Sequence, residues 1–280
     1  LTAAWPIECD ADLEPTAVWL ADQLASRLGA RPGVRIRGAG DGATGPAIRI
    51  AKSGGEEESY RLAIAADGVD IAGGGAAGVF YGAQSLLQLL PWEALRRPDA
   101  ELRVPAIEIE DRPRFPHRGL HVDVSRNFQS RETIERVIDL MASYKLNRLL
   151  LYTTEDEGWR IEIPGLPELT EVGARRRHTE SPDDPVVHPA YGSGPFGHAR
   201  AAIKAMEARH RRLLAAGDPE GAEEYRLVDP LDASEYRSAQ SFRDNVVSVA
   251  RDSTYRFYEK VVDELARMYA EAGLKMNAIH

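Results

Sequence analysis

The hydrophobic residues of the first part of the chain follow helical and strand spacings in alternation. Helical spacing predicts one helix over Val18–Leu28 and a second over Gly78–Leu90. Between them, four short runs alternate apolar and polar residues as half-buried strands do, namely Val34–Arg37, Ala47–Ala51, Tyr60–Ala65 and Val69–Ala72. Asp67-Gly68 lies between the last two runs and is a strong hairpin signal. Residues 1–105 therefore predict a small α/β unit.

A second pattern begins after this unit. The segment Asp111-Arg-Pro-Arg-Phe-Pro116 has two prolines in four residues and indicates an extended linker. Beyond it, Gly119–Val124 predicts a strand, Arg131–Lys145 a helix, and Arg148–Thr153 a strand buried on both faces. A strand, a helix and a strand in such close succession predict a βαβ unit with parallel strands.

Farther along the chain, helical spacing predicts two longer helices. The first runs from about Ala199 to Ala216, and the second from Ser253 to Ala272. Lys275–His280 predicts the start of one more strand. No internal repeat or low-complexity segment interrupts this order.

Composition and charge narrow the class of protein. Of the 280 residues, 43% are apolar and 28% are charged, as in ordinary soluble domains. The 44 acidic and 35 basic side chains leave a net charge of −9, which argues against a nucleic-acid partner and against binding to an anionic membrane. No stretch reaches the roughly 18 apolar residues that membrane insertion needs. The single cysteine, Cys9, excludes an intrachain disulfide and a thiolate cluster.

Candidate chemistry follows the two strands of the predicted βαβ unit. Arg126 comes just after the first strand, and the acidic run Glu155-Asp-Glu157 comes just after the second. Ligands of parallel α/β proteins bind beyond the carboxyl ends of the strands, which lie about 4.8 Å apart. We therefore expect Arg126 to converge with Glu155 and Asp156 on one rim, where the nearby indole of Trp159 would help to hold a polyhydroxylated sugar. The alternative is that the acidic run is a solvated loop.

Histidine and glycine runs give weaker signals. His178, His188 and His198 recur every ten residues, but this spacing provides neither the i,i+4 pair nor the tight loop set of a zinc site. We therefore predict no metal and interpret them as loop residues. Gly73-Gly-Gly75 lacks the Lys-Ser/Thr of a phosphate-binding loop and predicts a tight turn.

Several longer runs are similar to those of one enzyme family. They are Gly78–Leu90, Arg114–Arg126, Met141–Asn147, Glu155–Ile163, Pro167–Arg175 and His198–Ala202. In this order, and over nearly the whole chain, they resemble glycoside hydrolase family 20, the β-N-acetylhexosaminidases, and its chitobiase branch in particular.

The resemblance implies a fold and a division into domains. Residues 1–110 would form the family's small α+β N-terminal domain, and residues 111–280 would form part of a TIM-type (β/α)8 catalytic barrel. Such a barrel closes with about eight strands, whereas the sequence predicts at most three. One β-α unit of the family is missing near residues 194–198. We therefore expect an α/β protein whose barrel is incomplete.

The resemblance also implies an activity that needs no cofactor. Family members release terminal N-acetylglucosamine or N-acetylgalactosamine from glycans such as chitooligosaccharides, with the substrate's own acetamido oxygen as the nucleophile. Arg126 would bind hydroxyls of the terminal sugar, while Glu155, Asp156, His198 and His280 would supply a polar relay behind the general acid/base. Family analogy favours a secreted or periplasmic protein, although no signal-peptide pattern is visible. The oligomeric state is not predicted.

Three departures from the family pattern limit this reading. The family's catalytic Asp-Glu pair lies in a His-x-Gly-Gly-Asp-Glu motif, of which this sequence contains only His280, so we expect both carboxylates just after His280 and no useful hydrolysis by these residues alone. Glu155 stands where the family usually has Asp, and Tyr152 where it usually has His. The alternative interpretation is a non-catalytic sugar-binding or structural relic of the family.

Overall fold

The computed structural model describes residues 1–38, 45–99, 101–175, 201–232 and 247–274. It divides the chain into two compact units. The first contains Leu1–Gly119 and Arg136–Arg148, and the second contains Leu120–Glu135 and Leu149–His280. The strand predicted over Lys275–His280 and the deletion predicted near 194–198 lie outside the described residues. The proposed domain limits at residues 110 and 111 stay a prediction.

A six-stranded mixed sheet forms the centre of the first unit. Its strands are β1 (Ile7–Cys9), β2 (Val34–Ile36), β3 (Ala47–Lys52), β4 (Tyr60–Ala65), β5 (Gly68–Gly73) and β6 (Ile107–Asp111). They lie in the order β2-β1-β3-β5-β4-β6. The first three pairings are parallel, and β4 runs antiparallel to both neighbours. Ala65 pairs with Gly68, so the hairpin predicted at Asp67-Gly68 is confirmed.

Two helices cover this sheet and bury its apolar face. Helix α1 spans Glu14–Leu28, and helix α2 spans Ala76–Leu89, each within a few residues of its prediction. Helix α1 ends at Gly29, whose φ of 71° lies in the left-handed region that glycine adopts without steric cost. The fully buried large side chains of this core include Ile7, Leu20, Leu24, Ile48, Ile50, Leu62, Ile71 and Leu86.

Two strands of the sheet were not predicted, and the linker prediction is wrong at its first residue. Asp111 belongs to β6, where it pairs with Tyr60 of β4. The sequence of β6 is Ile-Glu-Ile-Glu-Asp, whose charges suit the edge of a sheet and whose alternation rests on only two apolar residues. Strand β1 has only three residues, too few for a periodicity to appear.

The predicted βαβ segment is present, but the expectation that its second strand is buried on both faces is wrong, because Leu150 and Leu151 are 53% and 39% exposed. Strand β7 (Gly119–Asp123), helix α3 (Arg131–Ser143) and strand β8 (Arg148–Tyr152) follow one another, and β7 pairs with β8. The Arg148 N–H donates to the Arg118 carbonyl at 3.2 Å, and the Val124 N–H donates to the Tyr152 carbonyl at 3.0 Å. These bonds occur in the same order along both strands, so the pair is parallel.

Among the described residues, the rest of the second unit consists of a small hairpin and four helices around a separate core. Its elements are β9 (Thr154–Glu155), β10 (Gly158–Trp159), α4 (Glu168–Glu171), α5 (Ala201–Ala215), α6 (Pro219–Glu223) and α7 (Asp252–Glu271). Helices α5 and α7 confirm the two longer helices predicted from spacing. The core includes Trp159, Ile163, Leu166, Leu169, Met206 and Phe257. In the described ranges, β7 and β8 form a two-stranded piece of α/β structure and not a closed barrel.

Candidate sugar-binding site

A tight turn after β7 positions Arg126. The Asp123 carboxylate accepts the backbone N–H groups of Ser125 and Arg126 through Oδ1, each at 3.0 Å. Side chains of aspartate commonly hold turns in this way. The other carboxylate oxygen, Oδ2, accepts the Arg126 guanidinium Nη1 at 2.8 Å. Asp123 thus fixes both the backbone conformation of the turn and the orientation of the Arg126 side chain.

Three carboxylates and a tyrosine ring surround the Arg126 guanidinium. Besides Asp123, Glu155 Oε2 lies 3.0 Å from Nη2, and Glu157 Oε1 lies 3.8 Å from Nε. The guanidinium carbon is 5.6 Å from the centroid of the Tyr152 ring, within the range of a cation–π contact. The structure therefore brings Arg126 and Glu155 together at the ends of β7 and β8, where the sequence predicted that they would converge.

The β9–β10 hairpin carries the acidic residues, and several contacts fix its place beside the turn. The Ser125 hydroxyl donates to the Gly158 carbonyl at 2.6 Å. Arg160 donates to the carbonyls of Val124 and Ser125, each at 2.9 Å, and also to the carbonyl of Ala174. A Cβ on Gly158 would lie 2.5 Å from the Ser125 carbonyl oxygen, so only glycine allows this close approach.

Burial and charge shift the pKa values of the site in consistent directions. Burial alone would raise the pKa of Asp123, but the backbone N–H and guanidinium of Arg126 outweigh it and lower that pKa. Burial alone would lower the pKa of Arg126, but Asp123, Glu155 and Glu157 outweigh it and raise that pKa. The Tyr152 hydroxyl donates to Glu155 Oε2, and this bond together with burial raises the pKa of Tyr152. The charged forms of Asp123 and Arg126 and the neutral form of Tyr152 are thereby favoured.

One edge of this group is open to solvent. The side chains of Arg126, Asp123 and Glu155 are 23%, 25% and 20% exposed, whereas that of Glu157 is only 2% exposed. The partly exposed side chains carry guanidinium donors beside carboxylate acceptors. This combination can hold adjacent hydroxyl groups, each of which both donates and accepts hydrogen bonds.

Trp159 does not have the role expected for it. The sequence placed its indole at the rim as a surface for a sugar ring, but Trp159 is 7% exposed. Its Nε1 donates to the Ile161 carbonyl at 2.6 Å, and its ring packs 6.1 Å from that of Phe257. Trp159 is therefore a core residue of the second unit.

The remaining predicted site residues divide into two groups. Asp156 lies in the loop of the hairpin, where its carbonyl accepts the Ala201 N–H at 2.7 Å. Burial, and after it the Asp156 charge, raises the pKa of Tyr258. His198 and His280 lie outside the described residues, as do the other two histidines of the ten-residue repeat, so their predicted roles stay predictions. Within the described ranges, no group of three or more acidic, histidine or cysteine side chains is arranged to hold a metal.

Sequence reasoning missed the part played by Asp123. Its carboxylate organises the turn and pairs with Arg126, yet the residue was read only as a member of a strand. The spacing Asp-x-Ser-Arg at a strand end is a turn signal that would have found it.

Within the described ranges, no helix combines the length and apolar character that a bilayer crossing requires.

Family models and relatives agree on one enzyme family. Residues 1–112 match the model described as "Glycosyl hydrolase family 20, domain 2", and residues 115–192 match "Glycosyl hydrolase family 20, catalytic domain". The chain is 38% identical over 256 residues to beta-hexosaminidase B of Pseudoalteromonas piscicida, covering 79% of this chain and 32% of the relative. It is 38% identical over 267 residues to N,N'-diacetylchitobiase of Vibrio harveyi, covering 82% and 29% respectively. The chain thus spans about a third of the length of these relatives.

Solved structures give the same result. The GH20 exo beta-N-acetylglucosaminidase of Vibrio harveyi, solved in complex with N-acetylglucosamine, superposes with a TM-score of 0.69 at 26% identity, covering 95% of this chain and 42% of that one. The GH20 beta-N-acetylhexosaminidase of Streptomyces coelicolor A3(2) superposes with a TM-score of 0.66 at 27% identity, covering 95% and 54%.

Proposed function

Because this chain belongs to glycosyl hydrolase family 20, we propose that it forms part of a β-N-acetylhexosaminidase. The proposed substrates are glycans or chitooligosaccharides that end in N-acetylglucosamine or N-acetylgalactosamine. Hydrolysis would follow the substrate-assisted retaining route, in which the acetamido oxygen of the terminal sugar attacks the anomeric carbon. Relatives named beta-hexosaminidase and chitobiase support this substrate class.

The observation that carries the proposal is the charged group around Arg126. Its guanidinium is partly exposed and held in one orientation by Asp123 and Glu155. Fixed N–H donors beside carboxylate acceptors recognise vicinal hydroxyls, so we assign Arg126 to the hydroxyls of the terminal sugar.

The acid/base part of the proposal rests on resemblance alone. It places the carboxyl that orients the acetamido group, and the general acid/base next to it, in the motif whose first residue is His280. Glu155 and Asp156, with His198, would form the polar relay behind that acid/base. A carboxyl group suits the role because burial can raise its pKa towards neutrality.

Turnover of an aryl N-acetyl-β-glucosaminide by the purified full-length protein, which would include the catalytic pair expected after His280, tests this function. We expect hydrolysis, and we expect Arg126→Ala to lower kcat/KM by roughly tenfold to hundredfold, because charge-assisted hydrogen bonds contribute about 1.5–3 kcal/mol. Arg103→Ala is the matched control, since the Arg103 side chain is 93% exposed. Unchanged kcat/KM in Arg126→Ala would contradict the role of Arg126 in substrate binding.

A second candidate is a sugar-binding protein without turnover. It is favoured by the contacts of Glu155, whose Oε2 already accepts both the Tyr152 hydroxyl and Arg126 instead of standing free for a relay. Calorimetric titration with N-acetylglucosamine separates the two candidates. Binding with turnover supports the hydrolase, and binding without turnover supports the sugar-binding protein. If neither binding nor turnover is observed, both candidate functions are rejected.

A further inference from the structure

Tyr152, Glu155 and Arg126 each contact the other two. The Tyr152 hydroxyl donates to Glu155 Oε2, and the same oxygen lies 3.0 Å from Arg126 Nη2. The Tyr152 ring centroid lies 5.6 Å from the guanidinium carbon of Arg126. Tyr152 thus contacts the Glu155 carboxylate through its hydroxyl and the Arg126 guanidinium through its ring.

The tyrosine hydroxyl fixes a carboxylate that would otherwise rotate. The terminal torsion of a glutamate has a broad, shallow preference, so an ion pair alone does not select one orientation. Glu155 is held at both oxygens, because Oε1 also accepts the Asp156 N–H at 3.1 Å. With the carboxylate plane fixed, the Arg126 guanidinium that pairs with it is held in one orientation as well.

Other contacts hold the tyrosine itself. The His121 ring meets the Tyr152 ring edge to face, with the centroids 5.6 Å apart and an angle of 70° between the planes. Such pairs are favourable beyond the area that they bury. The raised pKa of Tyr152 keeps the hydroxyl protonated, and therefore a donor, throughout the neutral range.

The length of residue 155 matters to this arrangement. Glu155 reaches both the Tyr152 hydroxyl and Arg126 from its place in β9. An aspartate there would withdraw its carboxylate by one methylene, about 1.5 Å, which exceeds the tolerance of a hydrogen bond. The tyrosine and the glutamate therefore fit each other as a pair.

We propose that Tyr152 is a positioning residue, which acts through Glu155 to fix the orientation in which Arg126 meets a sugar. This inference rests on the proposed sugar-binding role of Arg126. Tyr152 need not touch the sugar, because its hydroxyl is already committed to Glu155.

Calorimetric titration of the purified protein with N-acetylglucosamine tests the proposal in a double-mutant cycle. Tyr152→Phe keeps the ring and removes the hydroxyl, and Glu155→Asp keeps the charge and shortens the reach. We expect each variant to weaken binding about tenfold, and the double variant to bind within about twofold of either single variant, because both changes break the same contact. Tyr144→Phe is the matched control, since Tyr144 is 71% exposed. The melting temperature of each variant verifies folding.

The outcomes separate this proposal from the proposed function. If the unaltered protein binds the sugar and Tyr152→Phe binds equally well, the positioning role is overturned and the sugar site stands. Fully additive losses in the double variant would also overturn it. If the unaltered protein does not bind, the proposed function fails, and the Arg126 Nε–H signal in NMR decides the positioning role. A signal that Tyr152→Phe leaves unmoved and equally sharp would refute it, whereas a shifted or broadened signal would support it.

Discussion

At the scale of single residues, Glu58 shows how the first unit holds a carboxylate by several donors at once. Its oxygens accept hydrogen bonds from both terminal nitrogens of Arg118, from the Tyr81 hydroxyl and from the Asn147 amide, each at 3.0 Å. These bonds, with Arg118 foremost, lower the pKa of Glu58 to about 2 from its ordinary 4.5. The ionised form is therefore strongly favoured in the folded protein.

The depressed pKa of Glu58 predicts acid sensitivity. Because the folded pKa lies below the unfolded one, the stabilisation is complete above about pH 5 and is lost as the pH falls towards 2. We expect Glu58→Gln to lower the free energy of unfolding at pH 7 by about 2 kcal/mol and to flatten its dependence on pH between 5 and 2. Urea unfolding at a series of pH values measures both effects. Glu110→Gln, at a side chain 76% exposed, is the control, and an equal pH slope in both variants would refute the prediction.

At the scale of elements, hydrophobic periodicity predicts the helices and strands that are long enough for the pattern to repeat. Helices α1, α2 and α3 were predicted from their apolar stripes. Strand β1 was missed because it has only three residues, and β6 because only two apolar residues carry its alternation. At the site, the order of the strands was enough to predict that Arg126 and Glu155 lie close together. It could not tell which side of the β9–β10 hairpin would carry Trp159, because that depends on the core built by residues far along the chain, such as Phe257.

The β9–β10 hairpin should tolerate no side chain at Gly158. A Cβ there meets the Ser125 carbonyl oxygen at 2.5 Å, so the hairpin or the Arg126 turn must move. We expect Gly158→Ala to lower the free energy of unfolding by about 1–3 kcal/mol, as overpacking does, and to weaken sugar binding. Denaturant unfolding and calorimetric titration measure the two effects. Gly33→Ala, where nothing lies within 4 Å of the added Cβ, should leave both unchanged, and equal effects at the two glycines would contradict the steric explanation.

At the scale of the whole molecule, the chain leaves the first unit at Gly119 and returns to it with Arg136–Arg148. The returning segment supplies a hydrogen-bond donor to buried hydroxyl groups of the sheet and of α2. Lys145 Nζ donates to the Tyr60 hydroxyl at 2.8 Å and to the Ser85 hydroxyl at 2.7 Å, while Tyr60 and Ser85 are 6% and 8% exposed. A buried polar group that loses its partner costs about 1–3 kcal/mol. The returning segment therefore contributes hydrogen bonds to side chains of the first unit that lie far earlier in the sequence.

This chain path predicts how two truncated forms should differ. A chain of residues 1–148 keeps Arg118, Lys145 and Asn147, which hold Glu58, Tyr60 and Ser85, whereas a chain of residues 1–112 loses all three donors. We expect the longer form to be more stable by about 2–4 kcal/mol, since several partly buried hydrogen bonds to a carboxylate and two hydroxyls are at stake. Urea unfolding followed by circular dichroism measures the difference. Lys145→Met in the longer form should account for part of it, because the same two hydroxyls lose the Lys145 donor and keep only their bond to each other and that of Tyr60 to Asp111. Equal stability of the two forms would mean that the sheet and its two helices hold these polar groups without the returning segment.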